Sequence, residues 1–417
     1  MWQPRTWSST CVWPRDPVKI LFLSMEYPPL TGWGGIGSYV ATVAPALADR
    51  GHDVHVLSCV SRQSPSDTLD AGVWVHRRPE IRVKGSSRVF GRMWPQTLPR
   101  ILTAASTFAQ YRRLGIQFDV IEAPEWMAEG LFLARKRPVV THLHTPVHLI
   151  ARHLGWRTGE DLRVADWLER AAVRRASFIT APSRLLAQQL TRSRWLNGAP
   201  VQVVRNPIDL ERWASCSPVM QTSPIVLAVG RLEARKSPET LVDAAANLAP
   251  TIPGLEVVFL GRSNGRRGGQ TYRNWLEDRA RRLGAPCTFL EAVPRDSLSD
   301  WYGRARVVAL PSSFDNFPMA GLESLAAGRA VVCTTQTGLA EVIGDSGGGT
   351  VVPPHDSEAL ANALRPYLVD ASIAARAGEV ARRIVSEQCA PAAVAEARER
   401  CYIAAIEHWN ETNGRLH

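Results

Sequence analysis

Arg231 and Lys236 stand close together in Gly230-Arg231-Leu232-Glu233-Ala234-Arg235-Lys236-Ser237-Pro238, directly after an apolar run at 225–229. Nearly all basic residues of this chain are Arg, and Lys occurs only at 19, 84, 136 and 236. An Arg fork and a compact Lys charge on one loop suit a diphosphate. The plain alternative is a solvated basic loop. A second candidate is the run from Pro311 to Gly328, where seven residues separate Asp315 from Glu323. Pro318 suits the first position of a helix and Gly328 the place just past its end. Asp315 then stands near the N-cap, and capping is its plain role. Glu323 reads as a helix acid beside an apolar face made by Leu322, Leu325 and Ala326. The N–H groups of Asn316, Phe317 and Met319 would face a ligand, and Pro318 offers none.

A glycine cluster, Gly32-Trp33-Gly34-Gly35-Ile36-Gly37, matches Gly-x-Gly-x-x-Gly. A dinucleotide site needs that motif directly after a strand and an acid at the end of the next one. Here residues 25–32, with two prolines, intervene, and Leu57-Ser58-Cys59 carries no acid. The dinucleotide reading is set aside. A phosphate held by bare N–H groups at a helix N-terminus remains, beside the alternative of a tight turn. His142 and His144 share a strand face with His148 nearby. No neighbouring carboxylate completes a zinc set, so no metal is expected.

These residues need elements to hold them. Val18–Ser24 is a continuous apolar run, the pattern of a buried parallel strand. Helical spacing follows over 35–49, and further strands are expected at Asp53–Cys59, Asp119–Glu122, Val139–Leu143, Phe178–Ala181 and Val201–Val204. The alternation restarts with strands at Ile225–Val229, Glu256–Leu260, Cys287–Leu290, Val307–Leu310, Ala330–Cys333 and Thr350–Val352, and helices at Pro238–Leu248 and 271–283. Two βαβα series predict an α/β chain of two doubly wound domains. The boundaries read as an arm over 1–17, domains over 18–208 and 209–391, and a last helical segment over 392–417. Residues 210–224 read as linker, and 60–113 as irregular loops. Over 81–113, cations including Arg100 interleave with apolar residues. That pattern suits either a solvated flank or contact with an anionic membrane.

The chain has 417 residues, 45% hydrophobic and 21% charged, enough for two cores and unlike a disordered or coiled-coil sequence. Net charge is +10. That favours anionic partners, but no nucleic-acid module accompanies it. No apolar run reaches the ~18 residues of a spanning helix, and the start lacks a signal-peptide core. The seven Cys are scattered and odd in number, which suits reduced thiols and a cytoplasmic setting.

At these motifs the chain resembles a family 4 glycosyltransferase, the retaining group with the GT-B fold. The resemblance rests on GGIG at 34–37, THLHTP at 141–146, APS at 181–183, RNPIDLERW at 205–213, GRLEARKSPETL at 230–241, the run 309–332 and TGLAEVIGDSGGGTVVPP at 337–354. The run 309–332 resembles the family's Glu-x7-Glu element, with Asp315 in its first acidic place. The resemblance implies two Rossmann-like domains facing a central cleft, the first on the acceptor side and the second binding a nucleotide sugar, with the C-terminal helix crossing back to the first. It implies that Arg231 and Lys236 neutralise the donor diphosphate and that Gly34 and Gly35 contact it. Glu323 would hold the ribose, and Asp315 with the amides of Asn316, Phe317 and Met319 would hold the sugar. His144 matches the family's sugar-facing histidine. Ser263 and Val293 could border the base. The implied activity is hexosyl transfer from a nucleoside-diphosphate sugar to a saccharide, lipid-linked or small-molecule acceptor, without metal or cofactor, in the cytoplasm or at the inner face of the membrane. A phosphorylase- or synthase-type transfer and a non-catalytic nucleotide-sugar-binding protein are the alternatives. The Asp in place of Glu shortens one carboxylate by a methylene and leaves donor choice open.

Overall fold

A computed structural model describes residues 17–30, 34–60, 65–80, 91–344 and 346–413. The arm expected over 1–17 lies almost wholly outside them, as do Gly32, Trp33 and residues 81–90 of the basic stretch. The chain divides into two units, one running to Pro207 and resuming at Pro391, the other spanning Ile208–Ala390.

The first unit begins β1 Lys19–Leu23, α1 Gly35–Ala48, β2 Asp53–Val60, β3 Ser66–Asp70 and β4 Val73–Pro79. It continues α2 Thr97–Leu114, β5 Val120–Pro124, β6 Val139–His142, α3 Val147–Leu154, α4 Glu160–Arg175, β7 Phe178–Ala181, α5 Arg184–Arg192 and β8 Gln202–Val203. The sheet order is β3-β4-β2-β1-β5-β6-β7-β8. Only β3 runs antiparallel to its neighbour, with Leu69 opposite Trp74.

The second unit holds β9 Ile225–Val229, α6 Pro238–Leu248, β10 Glu256–Leu260, the short pair β11 Arg266–Arg267 and β12 Gln270–Thr271, then α7 Tyr272–Leu283 and β13 Cys287–Leu290. After these come α8 Leu298–Arg304, β14 Val307–Leu310, α9 Met319–Ala326, β15 Ala330–Thr334, α10 Ala340–Ile343, β16 Gly349–Val352, α11 Ser357–Val369 and α12 Ala371–Gln388. Its main sheet, β13-β10-β9-β14-β15-β16, is parallel throughout. Counted along the chain this is the Rossmann order 3-2-1-4-5-6, with the topological switch between β9 and β14. The last helix, α13 Pro391–Asn413, belongs to the first unit.

Strand alternation sorts the apolar residues onto two faces. In the second unit Val226, Val257, Phe259, Val307 and Ala309 face one core, and Leu227, Val258, Leu260, Val308 and Leu310 face the other. In the first unit Ile20, Phe22, Val54, Val56, Val120 and Val140 pack against α1 and α13 through Tyr39, Val43, Leu47, Val394 and Tyr402. Leu21, Leu23, Leu57 and Ile121 fill the opposite core. Helix starts follow local chemistry: Thr271 accepts from the Asn274 N–H at 3.2 Å, and Asp356 accepts from Ala359 at 2.8 Å.

Three expectations are corrected. The stretch 60–113 is not simply irregular, because β3 and β4 form a hairpin there and α2 follows. The hairpin's outer residues are mostly polar, apart from the exposed pair Leu69 and Trp74, and its turn, Ala71-Gly72, has positive φ at both positions, a weak signal beside the strong parallel runs. Residues 210–224 are not linker: Trp213 is fully buried and its ring meets that of Tyr302 edge-on at 5.3 Å. Arg100 is not offered to an anionic surface. It is buried and pairs with the buried Glu169 at 2.8 Å, because the inward face of α2 is polar. Among the described residues no helix is long and apolar enough to cross a membrane.

Close backbone packing supplies a test of this fold. A Cβ on Gly378 of α12 would lie 2.0 Å from the carbonyl oxygen of Gly328, just past α9. Helix propensity alone favours Gly→Ala by up to about 1 kcal/mol. The clash is with backbone, which cannot swing aside, and overpacking costs about 1–3 kcal/mol. Gly378→Ala is therefore expected to lower stability in denaturant melts, and a gain would refute the packing of α9 on α12.

Candidate active site

The carboxyl ends of β9 and β14 flank the switch point, and a pocket opens there, lined by Val229, Gly230, Lys236, Leu310, Pro311 and Ser312 among others. Gly230 has φ +145° and Gly261 φ +158°, and a Cβ on Gly261 would meet the Gly230 carbonyl oxygen at 2.0 Å. Gly230 is favoured by its positive φ, and Gly261 is required both by its φ and because the loop after β10 lies against the backbone of the loop after β9. The Leu232 N–H donates to the Arg262 carbonyl at 2.9 Å and the Asn264 N–H to the Leu232 carbonyl at 2.9 Å. The loop after β9 is thereby held open toward the pocket.

On it, residues 234–236 form one 3₁₀ turn, and Ser237 at φ +45° reverses the chain into α6. This turn aims Arg235 and Lys236 at Asp315. Arg235 Nη1 donates to Asp315 Oδ1 at 3.1 Å and to the Phe314 carbonyl at 3.1 Å, while its Nη2 donates to Glu233 Oε1 at 3.0 Å. Lys236 Nζ donates to Asp315 Oδ2 in a close ion pair. Asn264 donates to Glu233 Oε2 at 2.8 Å. Arg231, with its side chain 59% exposed, reaches Glu233 at 3.4 Å. Three cations face two carboxylates, so the cluster carries a net charge of +1, and its exposed member is Arg231. Burial pushes the Lys236 ammonium below its usual value, with Asp315 offsetting part of that. Burial also pushes the Asp315 carboxyl up, but Lys236 and Arg235 outweigh it and leave it below the ordinary range.

Asp315 does not cap the following helix. Pro318 occupies the cap position, and the Asp315 backbone is tied to the next loop, its N–H donating to the Gln336 carbonyl at 2.9 Å and its carbonyl accepting from Gly338 at 2.9 Å. Spacing placed Asp315 near the cap, but two cations from another loop took its side chain. Asn316 is buried, and the Phe317 ring packs in the core with Leu322 and Leu339. The Phe317, Met319 and Ala320 amides donate to no acceptor among the described residues. Glu323 is buried, accepts from the Tyr302 hydroxyl at 3.0 Å and lies 3.9 Å from Arg295. Burial raises its pKa, only partly offset by Arg295. Ser263 accepts from the Arg273 N–H at 3.1 Å in the loop after β10, and Val293 lies half-buried against the second core.

The remaining candidates lie in the first unit. Gly34 stands at the N-cap of α1, and a Cβ there would meet the Glu26 carboxylate at 2.1 Å. Glu26 also accepts from the Gly37 N–H at 3.2 Å, while Gly35 faces open space. His144 is half-buried after β6, and its N–H donates to Glu125 Oε2 at 2.7 Å. Its ring meets His142 edge-on at 4.9 Å and Tyr39 at 5.6 Å. Two buried carboxylates support this corner. Glu169 accepts from the Val147 N–H at 2.8 Å, so it and Glu125 brace both ends of the segment 144–147. Sequence reasoning missed Glu125 and Glu169, whose partners are remote in the chain, and Arg235 and Glu233, which pair with each other two residues apart while each also reaches another loop. The one local signal was acids set in apolar stretches.

With doubly wound sheets in both units and a cationic pocket at a switch point, the molecule is of the nucleotide-binding α/β class. Two family models meet on it end to end: "Glycosyltransferase Family 4" over residues 33–212 and "Glycosyl transferases group 1" over 212–384. Glycogen synthase of Mycobacterium tuberculosis is 29% identical over 96% of this chain and 98% of its own. D-inositol 3-phosphate glycosyltransferase of Kribbella flavida is 29% identical over 84% and 88%. A crystal structure of Anabaena HepE in complex with UDP and glucose shares the fold, with TM-score 0.65 and 22% identity over 92% and 98% of the two chains. The chain belongs to the family 4 glycosyltransferases and has the GT-B fold.

Burial pushes Glu125 and Glu129 up to about 8, and Glu169 up to about 7 despite Arg100. In the unfolded chain a Glu loses its proton near ~4.3. Above that pH the folded state holds protons the unfolded state has lost, so stability falls as pH rises toward 8. His142 and His144, both lowered by burial, act with the opposite sign, but only below the ordinary His value of ~6.5. Between pH 6.5 and 8 the carboxylates decide. Thermal unfolding is expected at lower temperature at pH 8 than at pH 6.5, and Glu125→Gln should flatten that slope by up to ~1.4 kcal/mol per pH unit. Equal slopes in the two proteins would remove Glu125 from the account.

Proposed function

We propose that this glycosyltransferase moves a hexosyl group from a nucleoside-diphosphate sugar to a saccharide acceptor with retention of anomeric configuration. The observation that carries this reading is the net positive cluster of Arg231, Arg235 and Lys236 with Glu233 and Asp315 at the switch point, beside amides at the start of α9 that donate to no acceptor among the described residues. Such a site attracts a diphosphate and stabilises the charge that grows on it as the glycosidic bond breaks. Lys236 gives one N–H to Asp315 and has two more for phosphate oxygens. Arg231 is free to fold over the diphosphate. Glu323, which accepts from Tyr302, would hold the ribose hydroxyls.

Asp315 serves the donor differently from a longer Glu. Both its oxygens are engaged by Arg235 and Lys236, so its first task is to hold Lys236 in place. Sugar hydroxyls then fall to the amides of Phe317 and Met319. Retention follows from acceptor attack on the face the diphosphate leaves. The C1–O bond to phosphate breaks, the acceptor oxygen bonds to C1, and its proton passes to the departing phosphate oxygen. The end-to-end match to a glycogen synthase supports a saccharide acceptor.

Lys236→Ala is expected to lower kcat/KM by roughly 100-fold or more, about 2.7 kcal/mol of transition-state stabilisation, without abolishing the fold. Unchanged turnover would remove Lys236 from the chemistry. Thermal shifts with UDP, GDP and ADP should single out one diphosphate. At 100 times its dissociation constant it adds about 2.7 kcal/mol of stability. Glu323→Ala should lose that shift. No shift with any of the three would overturn the donor assignment.

A further inference from the structure

Behind His144 lies a buried polar cluster that the donor chemistry does not use. Its anion is Glu122, 3% exposed in the middle of β5. Tyr39 of α1 donates to one Glu122 oxygen at 2.5 Å, and Tyr402 of α13 donates to the other at 2.6 Å. Its cation is Arg398, also on α13 and fully buried. Arg398 Nη1 lies 3.6 Å from Glu122 and donates to the Thr180 hydroxyl at 2.7 Å, and the guanidinium sits 5.1 Å over the Tyr39 ring. Its Nη2 lies 2.8 Å from His142 Nδ1.

A guanidinium can only donate. His142 Nδ1 must therefore be the acceptor, and the ring proton resides on Nε2, which donates to Asn206 Oδ1 at 3.1 Å. A second proton on His142 would set N–H against N–H. The ring of His142 is thus fixed at both nitrogens, and it and Tyr39 form the wall against which the His144 ring rests. The helix that supplies Arg398 begins at Pro391, beyond the residues that either family model matches.

We propose that Arg398 is a positioning residue for glycosyl transfer: from the C-terminal helix it fixes the tautomer of His142, and through the His142 and Tyr39 rings it sets how His144 is presented to the donor sugar. This rests on the proposed glycosyl transfer and on the sugar-facing role that the family resemblance implies for His144. The groups around His144 are His142 from β6, Tyr39 from α1, Arg398 from α13 and Glu125 from the loop after β5. Only Arg398 carries a fixed charge among them. Burial, with Arg398 adding to it, holds His144 down at about 3, so it meets the sugar as a neutral hydrogen-bonding ring.

The test is side-chain nitrogen NMR of the full chain with labelled histidine, with His142→Gln and His144→Gln used for assignment. In the wild-type protein His142 is expected as the Nε2–H tautomer alone, unchanged between pH 5.5 and 8. In Arg398→Met it should become a tautomer mixture that titrates in that range. The kcat of this variant should fall at least tenfold, while the donor KM changes less than threefold. A wild-type His142 protonated on Nδ1, or an Arg398→Met protein with unaltered spectra or undiminished kcat, would overturn the inference. If Arg398→Met does not fold, Arg398→Gln, whose amide can accept as well as donate, should show the same change. Failure of the underlying reading looks different: His144→Ala would transfer normally while the tautomer shift in Arg398→Met persisted.

Discussion

Burial of parallel strands on both faces is the constraint from which the rest follows. In the two main sheets every pairing except β3 with β4 is parallel, so neighbouring strands are joined by crossovers whose helices cover both sides. Polar side chains have few places to emerge, and the loops at strand carboxyl ends are the main ones. Lys236 after β9, Asp315 after β14 and Gly338 after β15 meet for that reason. The same geometry puts the glycine loop after β1 and His144 after β6.

Charge forced into such places must be paired. An isolated buried ion costs several kcal/mol even after relaxation. In the second unit the solution is alternation, Arg235 between Glu233 and Asp315 with Lys236 closing the chain, and Arg231 beside Glu233 leaves one cation in excess. In the first unit Arg398 and Glu122 are closed off completely by tyrosines, a threonine and a histidine. The first cluster is poised to accept an anion. The second is fully buried and leaves only the Arg398 Nε without an acceptor among the described residues, which suits a scaffold better than a binding site.

Glycine enters where backbones touch. Gly261 against Gly230 brings two strand-end loops into contact and shapes the pocket floor. A side chain at Gly261 would need space that the Gly230 backbone already fills, so this glycine follows from contact rather than from turn chemistry alone.

Local signals were sufficient for much of the architecture. Apolar runs such as Ile225–Val229 and Val307–Leu310 needed no partner to announce buried strands, because continuous hydrophobicity at that length has few other uses. The acidic pair Asp315 and Glu323, the loop cations Arg231 and Lys236, and the family were legible from residue type and spacing. The β3–β4 hairpin was not, since its exposed polar residues resemble a loop until they pair. Trp213 read as linker because its burial depends on Tyr302, far along the chain. Asp315 read as a cap because helix-start chemistry is local, whereas the competing cations arrive from a loop 79 residues away. Arg398 could not be seen at all: one basic residue on an ordinary helix becomes a determinant of His142 only when the chain returns 256 residues to meet it. The sequence determined which segments bury and which residues can do chemistry, since both depend on near neighbours. Only the tertiary structure decided which charges pair, because a buried charge takes whatever partner the fold brings within hydrogen-bonding distance.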